Sequence, residues 1–243
     1  MTLMIGWLYA SRMNIYGDRG NVIALSQRAR WRGIDVAVRL VDIGEPLTDE
    51  IDLYFFGGGQ DQMQKSVAED LQGGKGQRLC EAVDAGAALL AVCGGYQLLG
   101  HAYHPHAAPP MPGVGLFDVT TEAGTDRFIG NVIVDSQWGE LVGFENHSGR
   151  THLGVTAAPM GRVRVGQGNN GVDRTEGVVH RAAVGSYLHG SLLPKNPVLT
   201  DWLLEAAVRR RQPGVALAPL DDRLEDRAHS TAVARARLSH TRR

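Results

Sequence analysis

The chain has 243 residues, a formal net charge of −1, 43% hydrophobic and 21% charged residues. No apolar run approaches the ~20 residues that cross a bilayer. The near-neutral balance excludes a whole-chain nucleic-acid footprint. Two cysteines and an N-terminus without a basic n-region or cleavage site predict a reducing, cytoplasmic setting with no disulfide framework.

Leu3 to Tyr9 reads as a first strand. Asp18 offers an N-cap, Asn21 to Arg32 carries apolar residues at helical spacing, and Gly33 stops that helix. Ile34 to Leu40 alternates as a strand, and Asp52 to Phe56 is another that ends at Gly57-Gly58-Gly59. A helical stretch follows to about Gly86, with a break predicted at Gly73-Gly74. Ala88 to Val92 is an apolar run that meets Cys93-Gly94-Gly95 and then a helical pattern. From Met111 to Val184 glycine is frequent and β-type segments such as Asn131 to Val134 and Arg162 to Val165 recur. Val184 to Leu188 is a strand that delivers His189-Gly190 into a loop, and Leu199 to Arg211 is a clear helix. Asp221 to Arg243 mixes charges without a strong apolar face and reads as a solvated helix or frayed tail.

Strands alternating with helices across short loops predict an α/β fold, with a mostly parallel central sheet and helices on both faces. The middle of the chain predicts an antiparallel β extension of that sheet. The expected units are a domain over 1–212 and a charged C-terminal helix or tail over 213–243.

The chemistry concentrates at strand ends. A strand turning sharply into a helix puts Cys93 at the tip of the turn, exposed and facing helix N–H groups that favour the thiolate. Gly94 and Gly95 allow the tight turn, as in the nucleophile elbow of serine hydrolases. Cys80 lies on a helix face with no glycine after it and reads as a structural residue. A thiol nucleophile needs a base. His189, at a strand end before a glycine, is the leading candidate, and His147 sits in a polar loop that could line a site. Gly57-Gly58-Gly59 can aim N–H groups at a developing oxyanion, with Gly94 as a second donor. His101, His104 and His106 cluster without cysteine or acidic company, so no metal is expected there.

With these residues the chain resembles class I glutamine amidotransferases of the cobyric acid synthase-like branch. Cys93-Gly94-Gly95-Tyr96-Gln97, Gly57-Gly58-Gly59 and Tyr187-Leu188-His189-Gly190 carry the match, which extends to about residue 212. Asn14-Ile15-Tyr16-Gly17-Asp18-Arg19-Gly20-Asn21, Gly143 to Thr151 and Leu192-Leu193-Pro194-Lys195-Asn196 bring it nearer to the glutaminase subunits of lipid II isoglutaminyl synthases. The resemblance implies Cys93 and His189 as catalytic residues. It implies Arg127 as a glutamine contact, with Gly58, Gly94 and Gln97 at the substrate site. Many such enzymes carry a glutamate two residues after the histidine, but here that position is Ser191. A partner subunit or backbone groups would then have to orient His189.

The implied activity is hydrolysis of L-glutamine, with the ammonia passed to a synthetase. The chain has no phosphate-binding Gly-x-x-x-x-Gly-Lys-Ser/Thr loop. No cofactor is therefore expected in this chain, and ATP and Mg are expected on a Mur-ligase-like partner that amidates D-glutamate of lipid II. The complex would be cytoplasmic, at the inner face of the membrane. Three other readings stay open: a glutaminase serving another synthetase such as one amidating a corrinoid, a cysteine hydrolase, and a non-catalytic binding subunit.

Overall fold

The structure is a computed structural model that describes residues 1–15 and 17–241, with the backbone alone for Asp61, His240 and Thr241. Tyr16, Arg242 and Arg243, which belong to the motifs and tail above, lie outside the described residues.

The elements follow in chain order as β1 (Thr2–Leu8), α1 (Arg19–Trp31), β2 (Asp35–Val41), β3 (Leu53–Phe56), α2 (Asp61–Asp70), α3 (Gly76–Asp84), β4 (Ala88–Val92) and α4 (Gly94–Leu98). Then come β5 (Ala102–His104), β6 (Met111–Pro112), β7 (Val119–Ser136), β8 (Gly139–Leu153), β9 (Gly161–Val165), β10 (Thr175–Glu176), β11 (Val178–His180) and β12 (Ala183–Ser186). Three helices close the chain, α5 (Leu192–Lys195), α6 (Pro197–Arg211) and α7 (Arg223–Thr241).

The central sheet runs β11-β12-β4-β3-β1-β2. Five of its members, from β12 to β2, pair in parallel, and β11 adds antiparallel at one edge. Every residue of β3 and β4 is buried, so both faces of the sheet are covered there, as parallel pairing through crossover connections requires. Phe55 and Phe56 are fully buried, each contributing about 1.5–3 kcal/mol relative to exposure. Parallel strands open their C-terminal ends on one side. Gly57, Cys93 and Tyr187 therefore follow the ends of three adjacent strands, β3, β4 and β12.

The middle of the chain forms a second six-stranded sheet of its own, antiparallel except where β5 runs parallel to β7. It is built on the long β7–β8 hairpin, with β9 beside β7. Isolated bridges tie it to the first sheet, notably Phe144 with His189. The predicted break after α2 is real: residues 71–75 make a wide turn in which Gly74 takes φ +96°, a conformation open to glycine. The C-terminal segment is a helix that docks. Val233 and Ala236 of α7 are buried against Ile133 and Val142 of the hairpin. Two apolar residues in a charged stretch were too sparse a pattern to show this face in the sequence. Arg28 of α1 is 4% exposed and bridges Asp201 and Asp222, fastening α1 to α6 and to the start of α7.

Candidate active site

Cys93 takes φ +51° and ψ −107°, an unusual backbone for a residue with a side chain. The bend is over-determined by hydrogen bonds. The Cys93 N–H donates to Ser186 O at 2.8 Å, Gln97 N–H to Cys93 O at 2.9 Å, and Gly95 N–H to Gly57 O at 3.1 Å. Gly95 passes against the end of β3, where a Cβ would stand 2.6 Å from Phe56 O. The turn is thus the strand-to-helix elbow expected from Cys-Gly-Gly. Two details differ. Cys93 is 6% exposed, at the floor of a cleft rather than on a tip. The helix that follows has five residues, so its dipole is short and close contacts dominate the local electrostatics.

His189 is fully buried. It arrives directly after β12 and is fixed by a backbone exchange with β8, in which His189 N–H donates to Phe144 O at 2.8 Å and Phe144 N–H to His189 O at 3.3 Å. Its ring lies beside the Cys93 side chain, across Gly58. A Cβ placed on Gly58 would lie 2.9 Å from His189 Cε1 and 3.2 Å from Cys93 Cβ, so the glycine loop closes over this pair. Burial opposes a charged imidazole, but Cys93 and Asp18 outweigh it and hold the His189 pKa above its ordinary value.

Asp18 is the residue that sequence reasoning missed. It occupies the N-cap position of α1 yet makes no capping bond. Its Oδ1 lies 3.3 Å from His189 Nδ1, and its Oδ2 accepts the Gly58 N–H at 2.8 Å. Ser191, where the expected glutamate is absent, donates instead to Gly17 O at 2.5 Å. The signal available in sequence was an aspartate inside the Gly17-Asp18-Arg19-Gly20 motif.

The Gly58 amide is thus held by Asp18 rather than turned into the cleft. The N–H of Gly94, first residue of α4, is free of intrahelical partners and adjoins Cys93. Gln97 is buried and donates to Tyr187 Oη at 3.1 Å. Arg127 projects from β7 at the rim, with Nε donating to Asn146 Oδ1 at 2.6 Å and Nη2 to Asn146 O at 3.0 Å. The cleft measures ≈ 540 Å³ and is lined by Cys93, Gln97, Arg127, His147, Gln64 and Gly59 among others. Cys93, Gln97 and Arg127 therefore face one space, and His189 adjoins it through Cys93.

His147 does not lie in a loop. It belongs to β8, is 2% exposed, and stacks on Tyr187 at 3.6 Å with 7° between the planes. Its Nδ1 bonds Gly149 O at 2.9 Å, and burial pulls its pKa down to about 3, which makes it a neutral wall rather than a base. Glu176 lies beneath. Its Oε1 accepts from Ser186 Oγ at 2.8 Å and from Tyr187 N–H at 2.7 Å, and burial raises its pKa to about 7. His101 pairs with Asp118 at 3.0 Å. Among the described residues no group of three His, Cys, Asp or Glu side chains is arranged to hold a metal. No helix among them is long and apolar enough to cross a membrane.

The arrangement of thiol, imidazole and amide donors is suited to acyl transfer from an amide. The pattern of the CobB/CobQ-like glutamine amidotransferase domain matches residues 4–197. The lipid II isoglutaminyl synthase (glutamine-hydrolyzing) subunit GatD of Staphylococcus aureus is 40% identical, over 96% of each chain. The subunit of the same name from Streptococcus pneumoniae is 36% identical, over 86% of this chain and 82% of its own. A solved glutamine amidotransferase superposes with a TM-score of 0.55 at 17% identity, covering 84% of this chain and 98% of that one, which shows a shared fold.

Proposed function

Because this chain belongs to the CobB/CobQ-like glutamine amidotransferases, we propose that it hydrolyses L-glutamine at Cys93 and hands the ammonia to a ligase subunit. The observation that carries this reading is the juxtaposition of His189 and Cys93 beside Gly58, at the floor of a cleft that Arg127 rims.

The chemistry follows from the geometry. The Cys93 thiolate attacks the side-chain carboxamide carbon, forming a C–S bond and an oxyanion that the Gly94 N–H is placed to stabilise. Collapse breaks the C–N bond, and the His189 imidazolium gives its proton to the departing nitrogen, releasing ammonia. The neutral imidazole then takes a proton from water, which attacks the thioester. Glutamate leaves, and the thiolate and imidazolium are restored. Arg127 would hold the α-carboxylate of the substrate, a pairing for which the guanidinium fork is suited. Gly58 can join the oxyanion donors only when Asp18 releases its amide.

Free ammonia is mostly protonated at neutral pH and diffuses away, so its acceptor has to be made on a partner. The two GatD relatives are named as subunits of a lipid II isoglutaminyl synthase. Those names support a partner subunit, and we propose that it is a Mur-ligase-like protein that uses ATP and Mg to activate the D-glutamate α-carboxylate of lipid II at the cytoplasmic face of the membrane. The test is glutamate release from L-glutamine by the wild-type chain and by Cys93→Ala, each alone and with that ligase. The reading expects turnover in the wild type that Cys93→Ala abolishes, and amidated lipid II only with the ligase present. Undiminished glutamate release by Cys93→Ala would overturn it.

A further inference from the structure

We propose that Asp18, carried by the loop before α1, is the positioning residue for His189, so that the base is oriented by a carboxylate of this same chain. The inference deepens the reading of Cys93 and His189 given above and rests on it.

A carboxylate taken fully out of water is costly unless it is paired and hydrogen-bonded. Asp18 is fully buried, and its two carboxylate oxygens meet the two catalytic elements: the His189 ring and the glycine loop. It does not serve its own helix. The first turn of α1 is met instead by Asn14, whose Oδ1 accepts the Arg19 N–H at 3.0 Å. The loop is built around the aspartate, since a Cβ on Gly57 would lie 3.2 Å from Asp18 Oδ2. The contact to Nδ1 is 3.3 Å, longer than a charge-assisted bond.

A carboxylate accepts only, so Nδ1 must carry a proton. The other ring nitrogen is then left to exchange protons with Cys93 and the substrate. The groups facing His189 are Cys93, Asp18, the neutral His147 and the buried Glu176. Asp18 and Cys93 supply the negative charge that favours imidazolium. Replacing Asp18 by an amide of the same shape removes one of these charges and leaves the packing volume almost unchanged.

The experiment is the pH profile of Cys93 alkylation by iodoacetamide in the full chain, read by mass spectrometry at the Cys93 peptide. It compares wild type, Asp18→Asn and Asp18→Glu. Alkylation needs no glutamine. A wild-type chain that released no glutamate would therefore fail the glutaminase reading while the profile still tested Asp18. The limb belonging to His189 is expected to move at least about one pH unit lower in Asp18→Asn and part of the way back in Asp18→Glu. Glutamine kcat should fall by roughly 10²-fold with KM near wild type. Loss of activity with an unmoved limb would mean that Asp18 only braces the Gly58 loop and would overturn the proposal, as would no change in either.

A second readout needs no variant. In the wild-type chain, ring ¹⁵N shifts should show neutral His189 protonated at Nδ1, and a neutral ring protonated at the other nitrogen would overturn the proposal.

Discussion

Glu176→Gln should alter how stability depends on pH, in a direction and by an amount the structure sets. Glu176 is fully buried, with Oε1 occupied by Ser186 and Tyr187 and Oε2 bonded to nothing among the described residues. Burial raises its pKa from the ordinary 4.5 to about 7. Between those values the unfolded chain gives up a proton that the folded chain keeps, so folding is progressively disfavoured as pH rises. At 1.36 kcal/mol per pH unit the full cost, reached above pH 7, is about 3 kcal/mol. Glutamine resembles the protonated acid in shape and charge, and its Oε1 can accept the same two bonds. Any fixed penalty for its amide cancels when two pH values are compared. Urea unfolding of both chains at pH 4.5 and pH 8 gives the comparison. The difference in unfolding free energy should move by about 3 kcal/mol in favour of the variant at pH 8. A difference constant to within about 0.5 kcal/mol would refute the reasoning, because Glu176 would then be ionised at its ordinary pKa in the folded chain.

Arg127→Ala removes the guanidinium at the cleft rim and should raise KM for glutamine by about 10- to 100-fold with kcat within a few-fold, in steady-state kinetics. A fall in kcat at unchanged KM would assign it elsewhere. Gly95→Ala puts a methyl 2.6 Å from Phe56 O and 2.9 Å from Gly57 O. Both atoms are backbone, so the elbow must shift, at about 1–3 kcal/mol. Calorimetry should show Tm lowered by roughly 3–10 °C.

What could be read from sequence alone divides along physical lines. The Cys93 elbow was legible because an apolar run, a cysteine and two glycines are local, and the turn they specify needs nothing distant. His189 was legible as a polar residue at the end of an apolar strand. Asp18 was not, because it sits 171 residues from His189 and at a position where helix capping explains an aspartate equally well. His147 looked like part of a loop because Glu145 to Arg150 is polar. In the structure that polarity belongs to a strand at the cleft, where inward side chains meet substrate space and the paired sheet rather than a greasy core. The second sheet was read as an extension of the first because strand patterns report pairing but not partners. The buried face of α7 rests on Val233 and Ala236, too few to stand out among its arginines.

The most direct test of the central claim is to mix the wild-type chain with L-glutamine, quench in acid within the first turnovers, and weigh the intact protein and its peptides. The account predicts a fraction of the chain heavier by one γ-glutamyl group, located on the peptide that carries Cys93. Glutamate release with no acyl group on Cys93, or with the group on Cys80, would contradict it.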